Sequence, residues 1–553
     1  MARTGADWTE LKATRAAKPS LAVTSGVRGL PTASSGSSSR KEGQEAAIPA
    51  PGELVAYPHA DLPPFLEVRE FPRRGRGVVA KKALSPGTTL LSTTPLISVL
   101  DNRNLQTRCS FCFCAADDTT TQKCLSQCSL CHLVQYCSST CQTADWKLHK
   151  HECKALRTAS KSASRGNRNF PDTPVRALAR LLWKKEIQGE KLWREVESLQ
   201  THRQSLSPGE QERFFHLSVA LAQYVGSQEI VARAVGGSGS GMMDLCSRFA
   251  ANSFSLTSPT DVSNIGVSIS PLTALFNHSC APNAVVVFPD FPSRKSTKHM
   301  AVVALRDIAT GEEVVTSYID IGLPKELRQK ELKQRYYFDC DCSACKGDRT
   351  AVDPREALDC GKKSCRGSDV HPAIEAAKLA YADAEKAQYT DPNLALLHLT
   401  HLITSLTSSL SPSPALAPSS HPLLPALQLL LTLQLDASLF SAAVATAQRA
   451  WSGVSLIYPY GHPTRALLLS TIARLESVPP APELGPQAEL AYWANEGERV
   501  KGILRLVEAV KEVEVAFGKE GQGGEMGRRL RGLVKDQEEG VEMGRKMRMA
   551  TRV

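Results

Sequence analysis

Within seven residues, Asn277 to Asn283 (NHSCAPN), the chain sets two carboxamides, an imidazole and a thiol in one short loop between apolar runs, LTALF before and AVVVF after. Such flanks read as buried strands or helix ends, so the polar groups are either paired in a buried turn or offered to a ligand. A second concentration lies upstream. Cys109 and Cys112 form a CxxC and Cys128 and Cys131 another, while Cys137 and Cys141, then His149 and Cys153, each stand four apart. A CxxC suits a tight turn, and a four-residue spacing puts two side chains on one helix face. Four such pairs give the eight thiolate and imidazole ligands of two tetrahedral zinc ions. The same spacing selects His149 over His151 as the partner of Cys153. Cys114, Cys124 and His132 fall outside the spacing and read as spare. Farther on, Cys340, Cys342 and Cys345 (CxCxxC) supply three ligands where tetrahedral zinc needs four. Cys360 and Cys365 have no second pair nearby and read as a remnant or as free thiols.

The elements that must position these groups follow one order. RRGRGVVAKKALSPGTTLL (Arg73 to Leu91) comes first, then FAANSFSLT (Phe249 to Thr257), the NHSCAPN loop, GEEVVTSYID (Gly311 to Asp320) and YYFDCDCSAC (Tyr336 to Cys345). Taken together and in that order, these motifs resemble the SET family of lysine methyltransferases. The cysteine-rich block after the first motif makes the resemblance narrower, to the SET and MYND domain (SMYD) subfamily. The fold class it implies is α+β: a zinc-stabilised, β-rich SET domain split by a MYND zinc finger, with a C-terminal all-α, tetratricopeptide-like lobe.

The resemblance also implies roles, residue by residue. The turn bearing Gly75 and Gly77 lies over the methionine end of S-adenosylmethionine (SAM), with Arg74 and Arg76 near its carboxylate, a suitable partner for guanidinium. Asn252 falls where the family has an asparagine on the cofactor, although an ordinary turn asparagine reads the same way in isolation. Asn277 and His278 hold the amino and adenine ends largely through backbone groups. Tyr318 is the active-site tyrosine, Phe338 lies beside the adenine, and Tyr336 stands at the substrate lysine channel. In the finger, an interleaved arrangement puts Cys109, Cys112, Cys137 and Cys141 on one zinc and Cys128, Cys131, His149 and Cys153 on the other; spacing alone does not fix that pairing. Cys280 becomes the fourth ligand beside Cys340, Cys342 and Cys345, bringing zinc to three ions per chain. Ala274 and Phe276 stand where the family usually has Ser and Leu.

Chain organisation fits the same reading. Residues 1–60 include ASSGSSSRKEG and are expected to be a disordered tail. Residues 65–108 are the first SET part, 109–153 the finger, 154–248 a variable helical insert ending in GGSGSG, 249–320 the SET core and 321–348 the post-SET segment. Helices fill 370–480, opened by an Asp391-Pro392 start and including a His462-Pro463 turn. Residues 483–553 read as a charged, partly helical tail that frays. The 553 residues carry a net charge of +10 spread over many segments, which reads as a solvated surface without a nucleic-acid motif. The longest apolar run, Leu423 to Leu435, is broken by Pro425, Gln428 and Gln434, too short to cross a membrane.

Sixteen cysteines without a secretory signal point to reduced thiols in cytoplasm or nucleus. Asp7, Glu10, Glu42 and Glu45 argue against a mitochondrial leader. The expected activity is methylation of a histone or non-histone protein bearing an accessible lysine, by a monomer whose finger binds proline-rich peptides. An inactive scaffold recruiting partners through the finger is the alternative, and a RING-like ubiquitin ligase a third reading.

Overall fold

The computed structural model describes residues 61–550 except 117–124, 163–170, 237–238, 294–295, 347–352, 357, 360–370, 408–414 and 478–494. The expected tail over 1–60, Cys124, Cys360 and Cys365 lie outside the described residues. Alternation in LEVREF buries Leu66 and Val68 and turns Glu67 and Arg69 to the other, half-exposed face; β1 (Leu66–Phe71) pairs antiparallel with β2 (Gly75–Ala80). The hairpin turns at Gly75, whose φ of +69° is cheap only for glycine. β3 (Thr89–Thr93) and β4 (Ile97–Leu100) follow, then β5 (Ser126–Gln127) and β6 (Gln135–Tyr136) in the cysteine block. After the insert come β7 (Ser253–Thr257), β8 (Asn264–Ile269), β9 (Asn277–His278), β10 (Ala284–Val287), β11 (Met300–Ala304) and β12 (Glu313–Thr316).

Among the described residues these strands form small sheets ordered β1-β2-β12-β9, β10-β11-β3 and β4-β8-β7. Val78, Ala80, Leu90, Phe276, Val302, Ala304 and Val314 fill one core among them. Aliphatic and β-branched residues suit such a pleated, half-buried surface.

The cysteine block does not stand apart from this body. Its cysteines share one continuous apolar cluster with Leu178 and Trp183 of the insert helix Thr173–Gln188 and with Ile97, Ile265 and Ile269 of the strands. The helix Ser139–Ser162 carries Cys141, His149 and Cys153 and leads out of the block, and the insert continues through Glu190–Glu197 and Pro208–Val225. Ser207 and Glu210 close the last of these with a reciprocal capping box. The helix Gly239–Asn252 begins within GGSGSG.

Beyond the motifs, the helices Pro392–Thr407, Leu423–Asp436, Phe440–Ile457 and Pro463–Glu476 pack around Leu399, Leu427, Ala447 and Val454. Asp391 Oδ1 caps the first of these through Leu394 N–H at 3.0 Å. The lobe meets the strands through Tyr458, whose hydroxyl donates to Asp320 at 2.8 Å. A Cβ on Gly322 would fall 2.3 Å from that hydroxyl, so only glycine permits the approach.

The charged C-terminus is helical as expected but packs as part of the body: it forms the helices Glu496–Phe517 and Gly524–Ala550, packed on each other, with the first also on β11. Leu506, Val510, Val513 and Phe517 follow helical spacing and join Val287, Ala301 and Val303 in a single cluster. Charge on the remaining faces hides that stripe in a composition count. The connecting turn also covers the β3 edge: Glu520 accepts from Thr89 N–H at 3.0 Å and from its hydroxyl at 2.8 Å. Leu506→Ala, at a fully buried position, is therefore expected to cost about 2–5 kcal/mol. Thermal unfolding should show the whole strand body melting earlier; a helical transition that shifts alone would contradict this coupling.

Candidate active site and metal centres

The NHSCAPN loop is held along β12. Val315 pairs with Asn277 and Thr316 with His278 in parallel register, while β12 pairs antiparallel with β2 on its other side. Asn283, completely buried, closes the loop's far end. Its Oδ1 accepts from Val315 N–H at 2.8 Å, its Nδ2 donates to the Glu313 carbonyl at 2.8 Å, and its own N–H donates to the Val315 carbonyl at 3.2 Å. One of the loop's two carboxamides is thus structural. The other, Asn277, donates from Nδ2 to Glu313 Oε1 at 2.8 Å and to the Arg76 carbonyl at 3.2 Å. A Cβ on Gly77 would come within 2.7 Å of that Nδ2, which is why the turn needs its second glycine.

His278 is buried and its ring is spent internally. Nδ1 accepts from Tyr318 N–H at 3.0 Å, and Nε2 lies 3.3 Å from Cys280 Sγ. Tyr318 packs in an aromatic cluster beside the cysteines of the post-SET segment. Its hydroxyl donates to the Phe276 carbonyl at 3.0 Å, its ring centre is 5.0 Å from that of Tyr336, and the His278 ring is 5.2 Å away. Phe338 packs on the other side of His278, ring centres 5.8 Å apart. Burial pushes the Tyr318 phenol above its usual range, with Tyr336 and Glu313 adding to the effect. Burial likewise raises Tyr336. Both therefore remain neutral hydroxyls at physiological pH.

The two arginines of the glycine turn are already engaged. Arg74 pairs with Glu313 at 3.0 Å and with Asp341 at 3.2 Å, joining the turn to the CxCxxC segment. Arg76 donates to the Ser198 carbonyl. Asn252 lies at the end of its helix and gives Nδ2 to the carbonyls of Gln200 at 2.8 Å and Arg248 at 2.7 Å. These contacts bring in a stretch that carries no motif, the insert loop 197–202. His202 N–H donates to Ser247 Oγ at 3.2 Å, and the His202 ring stacks 5.0 Å from Tyr337. Tyr337, in left-handed backbone at φ +61°, donates its hydroxyl to Glu210 at 2.8 Å. The insert is thus packed against the segment that carries Phe338. The only signal in the sequence was the position of Tyr337 next to a site aromatic.

Three groups of metal-ligand type come together: Cys109, Cys112, Cys137 and Cys141; Cys128, Cys131, His149 and Cys153; and Cys280, Cys340, Cys342 and Cys345, each with all ligand atoms within 4.8 Å. Sulfurs 2.3 Å from a tetrahedral zinc stand about 3.8 Å apart. Here Cys112 and Cys137 are 3.6 Å apart, Cys137 and Cys141 3.5 Å, Cys128 and Cys153 3.9 Å, and Cys280 and Cys345 3.6 Å. His149 Nε2 lies 3.7 Å from Cys131 Sγ. Donor type and spacing therefore fit zinc at all three. His151 stacks instead on Trp183, as its off-face position requires. Cys114, outside the spacing rule, is nevertheless buried with Sγ 3.2 Å from that of Cys112, a fifth thiol beside the first group. Exposed His132 joins none of the three groups.

Residues 75–319 match the family model of the SET domain. The chain is 30% identical over 327 residues to histone-lysine N-methyltransferase ASHR1 of Arabidopsis thaliana, covering 56% of this chain and 62% of that protein. It is 31% identical over 288 residues to N-lysine methyltransferase SMYD2-B of Xenopus laevis, covering 51% and 61%. Identity to histone-lysine N-methyltransferase SMYD3 of Homo sapiens is 29% over 286 residues, again 51% and 61%. The chain thus spans about three fifths of the length of these relatives. A solved SET domain of LSMT bound to lysine and AdoHcy aligns over 88% of this chain and 90% of its own, at 13% identity and a TM-score of 0.26, too loose an overlay to place any atom. Residues 75–319 thus carry a SET domain, and the chain is similar to SET and MYND domain methyltransferases.

Proposed function

We propose that this protein is a SAM-dependent protein-lysine N-methyltransferase acting on histone or non-histone lysines. The observation that carries the reading is Tyr318, a neutral phenol in an aromatic cluster, fixed by the Phe276 carbonyl and flanked by Tyr336. When bound, SAM supplies a methyl group on a sulfonium. The protein's part is to hold, align and dry the reactants.

The residues around Tyr318 fit that cofactor. With its ring occupied, His278 would contribute through its main chain, as would Asn277. Asn252 has committed its nitrogen and keeps its carboxamide oxygen for a ligand's amino group. Phe338 offers a ring face, and Arg74 would exchange one of its two carboxylate partners for the cofactor's own.

A lysine amine, protonated in water with a pKa of about 10.4, loses hydration between Tyr318 and Tyr336. Desolvation favours its neutral, nucleophilic form. Neither phenol serves as a strong base, since burial raises both. Alignment is the larger contribution, up to roughly 7–11 kcal/mol in favourable intramolecular cases.

The finger is proposed to take proline-rich peptides, and the helical lobe, read as tetratricopeptide-like, to wall the substrate cleft. Work in cytoplasm or nucleus as a monomer completes the proposal.

Tyr318→Phe keeps the ring and removes the hydroxyl, so turnover is expected to fall by roughly 10²-fold or more. Zinc content and SAM affinity should hardly change. Undiminished turnover, measured with labelled SAM on cell extract, would reduce Tyr318 to packing; SAM binding without transfer by the unmodified protein would favour a scaffold. Zinc analysis should give three ions per chain. Cys280→Ser should release one and weaken SAM binding with it, because the same side chain ties the loop to the post-SET segment; a count near two in the unmodified protein would remove the Cys280 site.

A further inference from the structure

The second metal-ligand group is wired into the strand body through buried charge that no ligand role explains. His149 faces Cys131 with Nε2 and turns Nδ1 into the interior, where it has no hydrogen-bond partner. Glu152 Oε2 is 3.6 Å from that nitrogen, and both side chains are completely buried. Glu152 cannot swing freely. Arg176 Nε donates to its Oε1 at 3.0 Å and Arg180 Nε to its Oε2 at 2.8 Å. Arg180 also clasps Asp145 with two contacts of 3.1 Å, and Asp145 accepts from the Tyr136 hydroxyl at 2.8 Å. Arg176 reaches on to the Leu100 carbonyl, at the end of β4, at 2.9 Å and to Asn102 Oδ1 at 3.1 Å.

Two carboxylates on the helix Ser139–Ser162 thus face two guanidiniums on the helix Thr173–Gln188, and the charges cancel in the dry interior. A buried lattice of this kind contributes little net stability, because desolvation offsets attraction. What it does supply is fixed geometry. A histidine that binds metal through Nε2 must keep its proton on Nδ1, and that N–H needs an acceptor when water is absent.

We propose that Glu152 is a positioning residue for the second metal centre. It accepts the Nδ1 proton of His149, directs Nε2 toward Cys128, Cys131 and Cys153, and through Arg176 couples occupancy of that centre to the seating of the insert helix on β4. The proposal rests on zinc binding at that group, which total zinc in the unmodified protein tests by itself.

The full-length zinc protein, labelled with 15N-histidine, should show His149 protonated on Nδ1 and ligating through Nε2; the opposite tautomer overturns the assignment. Glu152→Gln should speed release of one zinc of the three to a chelator by roughly 10-fold or more, leaving the other two unchanged. Asp145→Asn disturbs the same lattice without facing His149, so it should lower the melting temperature and leave zinc release as it was. Equal acceleration in both variants would reduce Glu152 to a structural part. In a His149→Cys background, Glu152→Gln should no longer alter release, and a persisting effect would overturn the proposal. If Glu152→Gln does not fold, the tautomer in the unmodified protein decides.

Discussion

A loop of amides, imidazole and thiol can lie between apolar runs only if its backbone groups are paired, and Asn283 meets that condition. Its side chain replaces a missing strand partner, accepting from Val315 and donating to the Glu313 carbonyl. With the loop fixed at that end, Asn277 and His278 run in register with β12. The rest of the site is placed by this pairing. His278 Nδ1 fixes the Tyr318 backbone, the Phe276 carbonyl fixes the Tyr318 hydroxyl, and Cys280 is presented toward Cys345. An unpaired Val315 N–H here would carry the cost of a buried orphan donor, about 1–3 kcal/mol. It would also free the segment that aims the tyrosine.

Much of this was legible in the sequence where residue chemistry is specific. Cysteine spacing gave the finger's pairs, and the i, i+4 rule separated His149 from His151; the interleaved pairing and the Cys280 partnership came through the family resemblance, and the coordinates bring those same residues together. What escaped was carried by contacts distant in sequence. The insert loop 197–202 has no special residue types; it matters because Arg76, Arg248 and Asn252 hold its carbonyls. The packing of the C-terminal helices escaped for another reason. Their buried stripe is narrow, and the abundant charge around it resembles a solvated tail until periodicity is counted residue by residue.

The arginine roles show a further limit of reading by position. Arg74 does link the glycine turn to the CxCxxC segment, but with carboxylates on two sides. At 43% exposure it keeps much of its hydration, so these pairs are weak and exchangeable. A cation held by two weak partners can change one for another without leaving its place. That suits a residue near an anionic ligand better than a deeply buried ion pair would.

Three of the segments that meet around Tyr318 and His278 are too small to form cores of their own: the glycine turn, the insert loop and the CxCxxC segment. Small pieces of chain bury too little apolar area to hold a shape unaided. Each is here tied to a larger neighbour by a directional contact. The turn is held by Asn277 and Arg74, the insert loop by Arg248 and Asn252, and the post-SET segment by the Cys280 group and the Arg74–Asp341 pair. Tyr337 then joins two of these segments through Glu210 and His202. Because the ties share residues, a change at one segment alters the partners available at the next. These segments are therefore positioned together by polar and thiol contacts, while the apolar clusters hold the larger bodies they join.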